Sequence, residues 1–337
     1  MSQMLVQKPI EYAKSLGIDV SEHIGLGNEL VRIRAQIAPE IDRLIADHET
    51  NPELRSILLK AIPREGGHRG PLVYIVSSSN GNKPDLILSA ASELFYWADA
   101  GLDDVADGNT FRQSAISIRK MFDDTTALYV SNVLYGIALE GVVTQFRDNP
   151  HKFREITEAF ARRLHIVSRG QAVDMLATKK SLEEIRTDDY LKLVEETTGV
   201  DVGLNMKIGA ISARLDPQTT ENLYQFGFRL GTLAQIRDDV LDYCDAKDSE
   251  GNYIIGKLPF RDIESGKRRL PLLLTKDSNL RRIPDKVYDK IESYFIEPRR
   301  EEAKKYLGSV NISRESRDLL GKILNYWSDI RLFQKIM

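Results

Sequence analysis

Apolar residues recur at helical spacing through most of this sequence of 337 residues. In the segment that leads to Asp242, one side of a helix would carry Phe226, Leu230, Leu233, Val240 and Leu241. Proline costs about 3 kcal/mol inside a helix, and it is missing from the stretches 85–149, 151–216 and 218–258. These stretches are predicted to be helical, and the fold class is predicted to be all-α.

Signals for strands are few. The run 72–76 is apolar and rich in β-branched residues, but a short buried helical turn would look the same. Turns are expected at 80–84 and 245–252. Gly227 and Gly231 lie one helical turn apart, so another helix could approach closely there.

The domain organisation follows from the absence of any linker rich in proline, glycine or serine. Residues 1–337 are predicted to form one domain. Its N-terminal helices are expected to run to about residue 60, its central core over 61–275 and its C-terminal helices over 276–337, where the apolar segment 319–333 is expected to pack.

Two acidic motifs with the same spacing interrupt the apolar pattern. The first aspartate motif is Asp103, Asp104 and Asp107, and the second is Asp238, Asp239 and Asp242. Residues four apart share a helix face, and two such faces opposite each other repel unless a cation lies between them. Mg²⁺ is the usual cation for oxygen ligands, and it completes its shell with water and phosphate oxygens. The predicted substrate is therefore a diphosphate.

Acidic doublets also occur on solvated helix surfaces, and the chain supplies its own comparison. The doublets 123–124 and 188–189 are followed, at the position that would complete the motif, by Ala127 and Lys192. Only the two motifs within apolar helical segments are complete. The pair is therefore interpreted as functional.

Composition limits the classes of function. Hydrophobic residues make up 42% of the chain, which suffices for a large core. A net charge of −3 gives no sign of nucleic-acid binding. The single cysteine, Cys244, cannot form an internal disulfide. Because no signal peptide or long apolar run is evident, we expect a cytoplasmic protein without a membrane span.

A basic segment follows the second aspartate motif, over residues 256–271. It includes Lys257, Arg261 and Lys267. Cations at this place could bind the phosphate oxygens that metal ions leave free. The alternative is a solvated basic loop.

With these motifs the chain resembles the all-trans isoprenyl diphosphate synthases over residues 66–274. The two aspartate motifs, in this order, carry the resemblance, and the segments 170–174 and 256–257 support it. The resemblance implies the all-α isoprenoid synthase fold, a single large helical bundle around a central cavity, and a homodimer. It also implies that three Mg²⁺ ions help to ionise an allylic prenyl diphosphate, which releases pyrophosphate.

The pocket for the allylic substrate is largely kept. The principal metal ligands of the family match Asp103, Asp107 and Asp238, with help expected from Asp104, Asp239 and Asp242. The cations expected on the diphosphate are Arg112, Lys257, Lys267 and Arg261. Gln171, Gln235 and Thr198 are expected to line the reaction chamber, and the lysine that the family carries before this threonine is replaced by Thr197.

The pocket for isopentenyl diphosphate is reduced. The segment 66–71 is one residue shorter than the family's motif, with His68 in place of lysine and Arg69 as its one arginine. The family usually has a second arginine directly after the first, and here that position is Gln113. A charge-assisted bond to phosphate contributes about 1.5–3 kcal/mol, so two losses predict binding weaker by about 10²–10⁴-fold.

The residues before the first aspartate motif correspond to those that hold the hydrocarbon tail in this family. Here they are Ala98, which leaves room for a long tail, and Asp99. A carboxylate in an apolar pocket is costly unless it is paired or protonated. Asp99 is therefore expected to find a partner on a neighbouring helix or to act as a counter-charge or base for the cation.

The leading hypothesis is an enzyme that ionises farnesyl diphosphate, geranylgeranyl diphosphate or a longer homologue. It would quench the cation without isopentenyl diphosphate, by cyclisation or by transfer to another acceptor. The alternative is a conventional trans-polyprenyl diphosphate synthase that condenses isopentenyl diphosphate. A non-catalytic regulatory subunit is a third hypothesis, and the two complete aspartate motifs argue against it.

Overall fold

The computed structural model describes residues 3–23, 25–63, 67–112, 115–255 and 258–336. Within these ranges the α-helices are α1 Gln3–Ser15, α2 Leu26–His48, α3 Pro52–Ala61, α4 Arg69–Ser77, α5 Leu86–Asp107, α6 Ile118–Met121, α7 Asp124–Phe146, α8 Pro150–Ala177, α9 Thr187–Val194, α10 Val200–Ser212, α11 Pro217–Leu241, α12 Arg261–Glu264, α13 Leu270–Thr275, α14 Asp285–Ile291, α15 Glu297–Gly308, α16 Arg314–Trp327 and α17 Ile330–Ile336. The strands β1 Phe111–Arg112 and β2 Ala115–Ile116 form a small antiparallel hairpin. Short 3₁₀ turns occur at Ser21–His23 and Ser79–Gly81, and π-helical turns at Glu195–Gly199 and Glu292–Ile296.

The predicted all-α class is confirmed, but the predicted helical stretch 85–149 is interrupted by the hairpin β1–β2 and the stretch 151–216 by the non-helical segment 178–186. For the run 72–76 the sequence allows either a strand or a buried helical turn. The run 72–76 belongs to α4, where most of its apolar side chains are buried. The prediction of helix over 218–258 is wrong beyond Leu241. In the loop that follows, the carboxylate of Asp248 accepts hydrogen bonds from the backbone N–H groups of Glu250 and Asn252, which favours a turn over a helix.

Proline marks where two long helices begin. Pro150 and Pro217 occupy the first turns of α8 and α11, where a missing N–H group is no loss. The residue before each proline caps the helix, because Asn149 accepts a hydrogen bond from the N–H of Lys152 and Asp216 accepts one from Thr219. The prolines that bounded the predicted stretches are thus helix starts.

The two aspartate motifs lie at the C-terminal ends of two helices. Helix α5 begins at its cap Asp85 and ends at Gly108, whose φ of 68° is left-handed. Helix α11 ends at Leu241, with Asp242 as its C-terminal cap. The side chains of both motifs therefore lie at helix ends, where they can face one cavity.

Helices α5, α8, α10 and α11 line the cavity between these helix ends, with α10 packed against α11 and α7 packed against α5. Their contact surfaces are apolar and include Phe95, Phe160 and Phe226, which are fully buried. Helix α7 is the one helix of the described residues that is long and apolar enough to cross a membrane by length and composition, and half of its most apolar window is buried inside the protein.

A close helix approach involves the glycines of α11. A Cβ atom on Gly231 would lie 2.3 Å from the carbonyl oxygen of Thr198, and one on Gly227 would lie 2.8 Å from that of Val202. Only glycine fits at these distances, so the predicted close approach is confirmed. It places the π-helical turn that contains Thr198 directly against the helix of the second aspartate motif.

Replacing Gly231 by alanine is expected to destabilise the protein by about 1–3 kcal/mol, because the helices must move apart to admit the methyl group. The matched control is Gly321→Ala in α16, where the nearest atom, on Leu307, is 4.0 Å from the new Cβ. Alanine there is expected to stabilise the helix by about 0.5–1 kcal/mol. Urea unfolding measures both changes, and a Gly231→Ala protein as stable as wild type would contradict the close approach.

Candidate active site

Both aspartate motifs contribute to one cavity of about 350 Å³. Among the described residues, nine carboxylates and six lysine or arginine side chains line it. The acidic residues are Asp99, Asp103, Asp107, Asp174, Asp201, Asp238, Asp239, Asp242 and Asp262. The basic residues are Arg69, Arg112, Arg237, Arg261, Lys267 and Arg269. The lining thus carries an excess of negative charge.

The three residues of the first aspartate motif have different surroundings. Asp103 lines the cavity, and burial raises its pKa to about 7 against the influence of Arg112 and Lys267. Within the described residues, no hydrogen bond or ion pair holds its carboxylate. Asp107 also lines the cavity and accepts a hydrogen bond from Lys267 Nζ at 2.7 Å.

Asp104 differs from the expectation that it helps to hold metal ions. Its side chain is outside the cavity lining and 4% exposed, and its Oδ1 accepts a hydrogen bond from Arg112 Nε at 2.8 Å. Burial raises its pKa, which Arg112 opposes. The middle residue of a helical triplet points to one side of the other two, and here it orients the guanidinium of Arg112 on the hairpin.

The second aspartate motif is also divided. The carboxylate of Asp238 is half exposed and lies 3.1 Å from Arg237 Nη2. Asp239 is buried, with hydrogen bonds from Tyr190 Oη at 2.5 Å and Gln235 Nε2 at 2.9 Å. Burial raises its pKa to about 7. Its oxygens are already engaged by neutral donors.

The buried Asp242 ties the basic loop to α11. Its Oδ2 accepts a hydrogen bond from the backbone N–H of Asp262 at 3.1 Å. Arg261, which directly precedes Asp262, donates from Nη2 to the carbonyl oxygens of Asp107 and Gly108. The loop is thus fixed to both helix ends that carry the aspartate motifs, and Arg261 stabilises the end of α5 through its carbonyl groups.

Lys267 and Arg269 lie between the two motifs. Arg269 forms a two-bond ion pair with Asp174, at 3.0 and 2.8 Å, and its Nε is 3.7 Å from Asp239. Lys267 Nζ lies 3.8 Å from Asp174 as well as close to Asp107. Sequence reasoning named Lys267, but it missed Arg269 and Asp174 although both stand inside segments it had singled out.

The predicted chamber residues reach the cavity from three helices. Gln171 lines it from α8 and Gln235 from α11. Thr198, in the π-helical turn, donates to Gln235 Oε1 at 2.8 Å, and Gln235 in turn donates to Asp239. The π-helical turn, a feature often found at functional sites, is thereby linked to the second motif.

The two residues expected in the tail pocket also differ. Asp99 has the partners expected of it on neighbouring helices: Tyr135 Oη donates to it, and Arg163 Nη2 lies 2.7 Å from its Oδ2. Burial raises its pKa, which Arg163 opposes. Ala98 is fully buried and does not line the cavity, because on a helix it faces the core when its neighbour faces the cavity.

His68 and Arg69 line the cavity as expected, but neither is an independent cation. His68 Nδ1 lies 2.7 Å from Arg34 Nη2. Because a guanidinium only donates, this nitrogen accepts, and the imidazole is neutral. Burial and the neighbouring arginines lower the pKa of His68 well below its usual range. Arg69 forms an ion pair with Asp201 at 2.6 Å.

The loop that carries these two residues is held by a buried acid that the sequence did not reveal. Glu93 Oε1 accepts a hydrogen bond from the N–H of Gly70 at 3.0 Å, and burial raises its pKa to about 7. Arg34 donates from Nε to the carbonyl oxygen of Gly67. Arg34 on α2 and Glu93 on α5 thus hold Gly67 and the start of α4 by their backbone groups.

Four predicted positions lie outside the described residues, namely Gly66, Gln113, Gly256 and Lys257. The C-terminal helices, by contrast, do more than pack. Trp327 lies edge-on to His68 with ring centres 5.3 Å apart, and Arg237 donates to the carbonyl oxygen of Tyr326 at 3.0 Å. Both aromatic residues line the cavity, and no spacing signal in the sequence connects them to it.

Comparison with known proteins identifies this arrangement. The helical bundle and its cavity define an enzyme of the isoprenoid synthase class. The chain belongs to the polyprenyl synthetase family, whose model matches residues 54–295. The predicted family resemblance is confirmed.

Two relatives illustrate the range of the family. The chain is 28% identical over 246 residues to the nonaprenyl diphosphate synthase of Mycobacterium tuberculosis. The aligned region covers 72% of this chain and 69% of the relative. It is 25% identical over 300 residues to the geranylgeranyl diphosphate synthase of Sulfolobus acidocaldarius, which covers 77% of this chain and 88% of the relative.

Solved structures support the fold. A polyprenyl synthase from Caulobacter crescentus, complexed with calcium and isoprenyl diphosphate, matches with a TM-score of 0.70 at 21% identity, over 90% of this chain and 97% of that one. A geranylgeranyl pyrophosphate synthetase from Geoglobus acetivorans matches with a TM-score of 0.71 at 22% identity, over 90% and 98%. The expected isoprenoid synthase fold is confirmed.

Proposed function

We propose that this chain is a prenyl diphosphate synthase. It would ionise the C–O bond of an allylic prenyl diphosphate, release pyrophosphate and join the allylic cation to the double bond of isopentenyl diphosphate. Loss of a proton would then give a longer prenyl diphosphate. The observation that carries the proposal is the convergence of both aspartate motifs on a single cavity, in a chain that is similar to a nonaprenyl and a geranylgeranyl diphosphate synthase.

This proposal takes the alternative of the sequence analysis in preference to its leading hypothesis. The relatives over most of the chain are named for chain elongation, and none of the comparisons favours a cyclase. The reduced motif at 66–71 had favoured a reaction without isopentenyl diphosphate.

Mg²⁺ fits the donor set if substrate completes the site. No group of three acidic, histidine or cysteine side chains among the described residues could hold a metal ion by itself. Mg²⁺, however, typically takes one or two carboxylates and fills its shell with water and phosphate oxygens. We propose that Asp103, Asp107 and Asp238 hold such ions, three in number, with Asp239 and Asp242 nearby. Bound there, they would stabilise the charge of the leaving pyrophosphate.

The chain's own cations would bind the remaining phosphate oxygens. Lys267 lies at the first aspartate motif, and Arg112 reaches the cavity while Asp104 holds its orientation. Arg261 would act mainly by positioning, since its guanidinium binds the carbonyl groups at the end of α5. A diphosphate alone would add negative charge beside Asp103 and would keep its pKa raised. Cations that arrive with the diphosphate would lower that pKa.

A second candidate remains the reaction without isopentenyl diphosphate, by cyclisation or transfer. The observation that favours it is the state of the residual second site, where His68 is neutral and Arg69 is paired with Asp201. The two candidates share the ionisation step and differ in what reacts with the cation.

Incubation with farnesyl or geranylgeranyl diphosphate and Mg²⁺, with and without isopentenyl diphosphate, separates the candidates. We expect a longer prenyl diphosphate only when both substrates are present, because chain elongation needs the second diphosphate. Products are identified by mass spectrometry. A hydrocarbon or alcohol formed equally well from the allylic substrate alone would overturn the proposal in favour of the second candidate.

The metal site is tested by Asp103→Asn and Asp238→Asn. Each is expected to lower kcat/KM by about 10²-fold or more, because each lost ligand removes several kcal/mol of transition-state stabilisation. Asp188→Asn, in an exposed and incomplete acidic doublet, is the matched control and should change activity little. EDTA should abolish turnover and added Mg²⁺ restore it; activity that persists in either variant or in EDTA would exclude this metal site.

We also propose that the chain forms a homodimer in the cytoplasm and that each subunit is a single domain. Half of the large apolar side chains that are exposed in the described residues fall between residues 111 and 143, on the hairpin, at the end of α6 and on α7. A second copy of the chain would cover this surface, which is otherwise costly to expose.

Light scattering is expected to give about twice the chain mass of 38.2 kDa. Tyr129→Asp on α7, at a tyrosine 68% exposed, should yield monomers because it buries a charge in the contact. Tyr294→Asp, at a tyrosine 71% exposed elsewhere, is the control and should remain dimeric. A wild-type monomer would refute the proposal.

A further inference from the structure

Four charged side chains from four helices form a buried cluster at the cavity wall. This Asp201 cluster consists of Arg69, Asp99, Arg163 and Asp201, on α4, α5, α8 and α10. Asp201 Oδ2 accepts from Arg69 Nε at 2.6 Å, and its Oδ1 accepts from Arg163 Nε at 2.5 Å. Arg163 also donates from Nη2 to Asp99 at 2.7 Å. Two positive and two negative charges therefore cancel.

The neighbours of the Asp201 cluster fix its geometry. The guanidinium of Arg69 lies 5.0 Å from the ring centre of Tyr96. Asn205 Nδ2 donates to Asp201 Oδ1 at 3.0 Å. Burial raises the pKa of Asp201, but Arg163 and Arg69 together lower it by more than burial raises it. The net shift is therefore downward. The carboxylate is thus ionised and held against Arg69.

The proposed metal and diphosphate site uses neither Asp201 nor Arg163. Arg69, in contrast, lines the cavity. Of the described residues assigned to a second diphosphate site, His68 is neutral and Arg69 is the cation. An anion that approaches Arg69 must displace Asp201 or bind beside its negative charge. Either course lowers the affinity for the anion.

We propose that Asp201 is a specificity-determining residue, which neutralises Arg69 and thereby weakens the binding of isopentenyl diphosphate at the part of the cavity wall that Arg69 lines. This inference rests on the proposed function, since it names the residue that sets the affinity for the second substrate. A freed guanidinium gains one charge-assisted bond to phosphate. That bond corresponds to an affinity about ten- to a hundredfold higher.

The variant Asp201→Asn releases Arg69 with little change of shape. The amide oxygen can keep the hydrogen bonds from Arg163 and Asn205 at the position of Oδ1. The amide nitrogen then faces Arg69 Nε, donor against donor, so this bond is lost. Arg163 stays paired with Asp99.

The matched control is Asp99→Asn, which removes the same charge from the same cluster. It leaves the bond between Arg69 and Asp201 in place. A general effect of negative charge near the cavity would raise the affinity in both variants. Release of Arg69 would raise it only in Asp201→Asn.

Calorimetric titration of isopentenyl diphosphate into the full chain, in EDTA, measures the affinity without turnover. Without metal ions the aspartate motifs repel the ligand, so that the signal reports the Arg69 end. The Kd is expected to fall at least tenfold in Asp201→Asn and to change less than about threefold in Asp99→Asn. Adding Arg69→Gln to Asp201→Asn should abolish the gain. Thermal unfolding checks each protein, and Asp201→Ser serves as the second neutral variant if Asp201→Asn does not fold.

An unchanged or higher Kd in the neutral Asp201 variants would overturn the inference, as would equal gains in both single variants or a gain that survives Arg69→Gln. Turnover tests the proposed function separately. If isopentenyl diphosphate is condensed, Asp201→Asn should also lower its KM. If it is not condensed while the gain in binding is present, the proposed function fails and the role of Asp201 stands.

Discussion

Negative charge concentrated in a confined cavity is the constraint on which the rest of this structure depends. Carboxylates outnumber basic side chains in the described lining by nine to six. An ionised group in such surroundings is costly unless it is paired. Asp104, Asp107 and Asp174 are paired with Arg112, Lys267 and Arg269. Asp103 has no such partner within the described residues, and burial raises its pKa to about 7 although Arg112 and Lys267 oppose the shift. These pairs hold Arg112, Lys267 and Arg269 in place around the cavity.

Hydrogen bonds and ion pairs together fix the loop that brings the cations to the site. This loop leaves α11 and returns across the end of α5, held by Asp242 on one side and by Arg261 on the other. Breaking one partner of a buried pair is costly because the other charge remains. The ends of the two helices and the basic segment therefore behave as one unit. A diphosphate that bridges the motifs would meet a preformed arrangement, which reduces the cost of ordering on binding.

Around Arg69, by contrast, the charged side chains of the cavity wall are paired with one another. Arg69 and Arg163 are balanced by Asp99 and Asp201, and His68 is neutral. One wall thus requires added cations, while the other does not require an added anion. This asymmetry separates the acidic part of the site, which the proposed ionisation step would use, from the part around Arg69, where the proposed second substrate would bind.

The sequence by itself determined the helical class, the two aspartate motifs and the close approach at Gly231, because these depend on spacing along one helix or on the absence of a side chain. It also determined that Asp99 needs a partner, since burial of a charge demands one. Only the tertiary structure decided that Asp104 faces Arg112, that Ala98 lies outside the cavity, and that Asp201 neutralises Arg69 across more than a hundred residues. The physical reason is that charge pairing acts through space, and a carboxylate's role depends on which cation the fold brings within hydrogen-bonding distance.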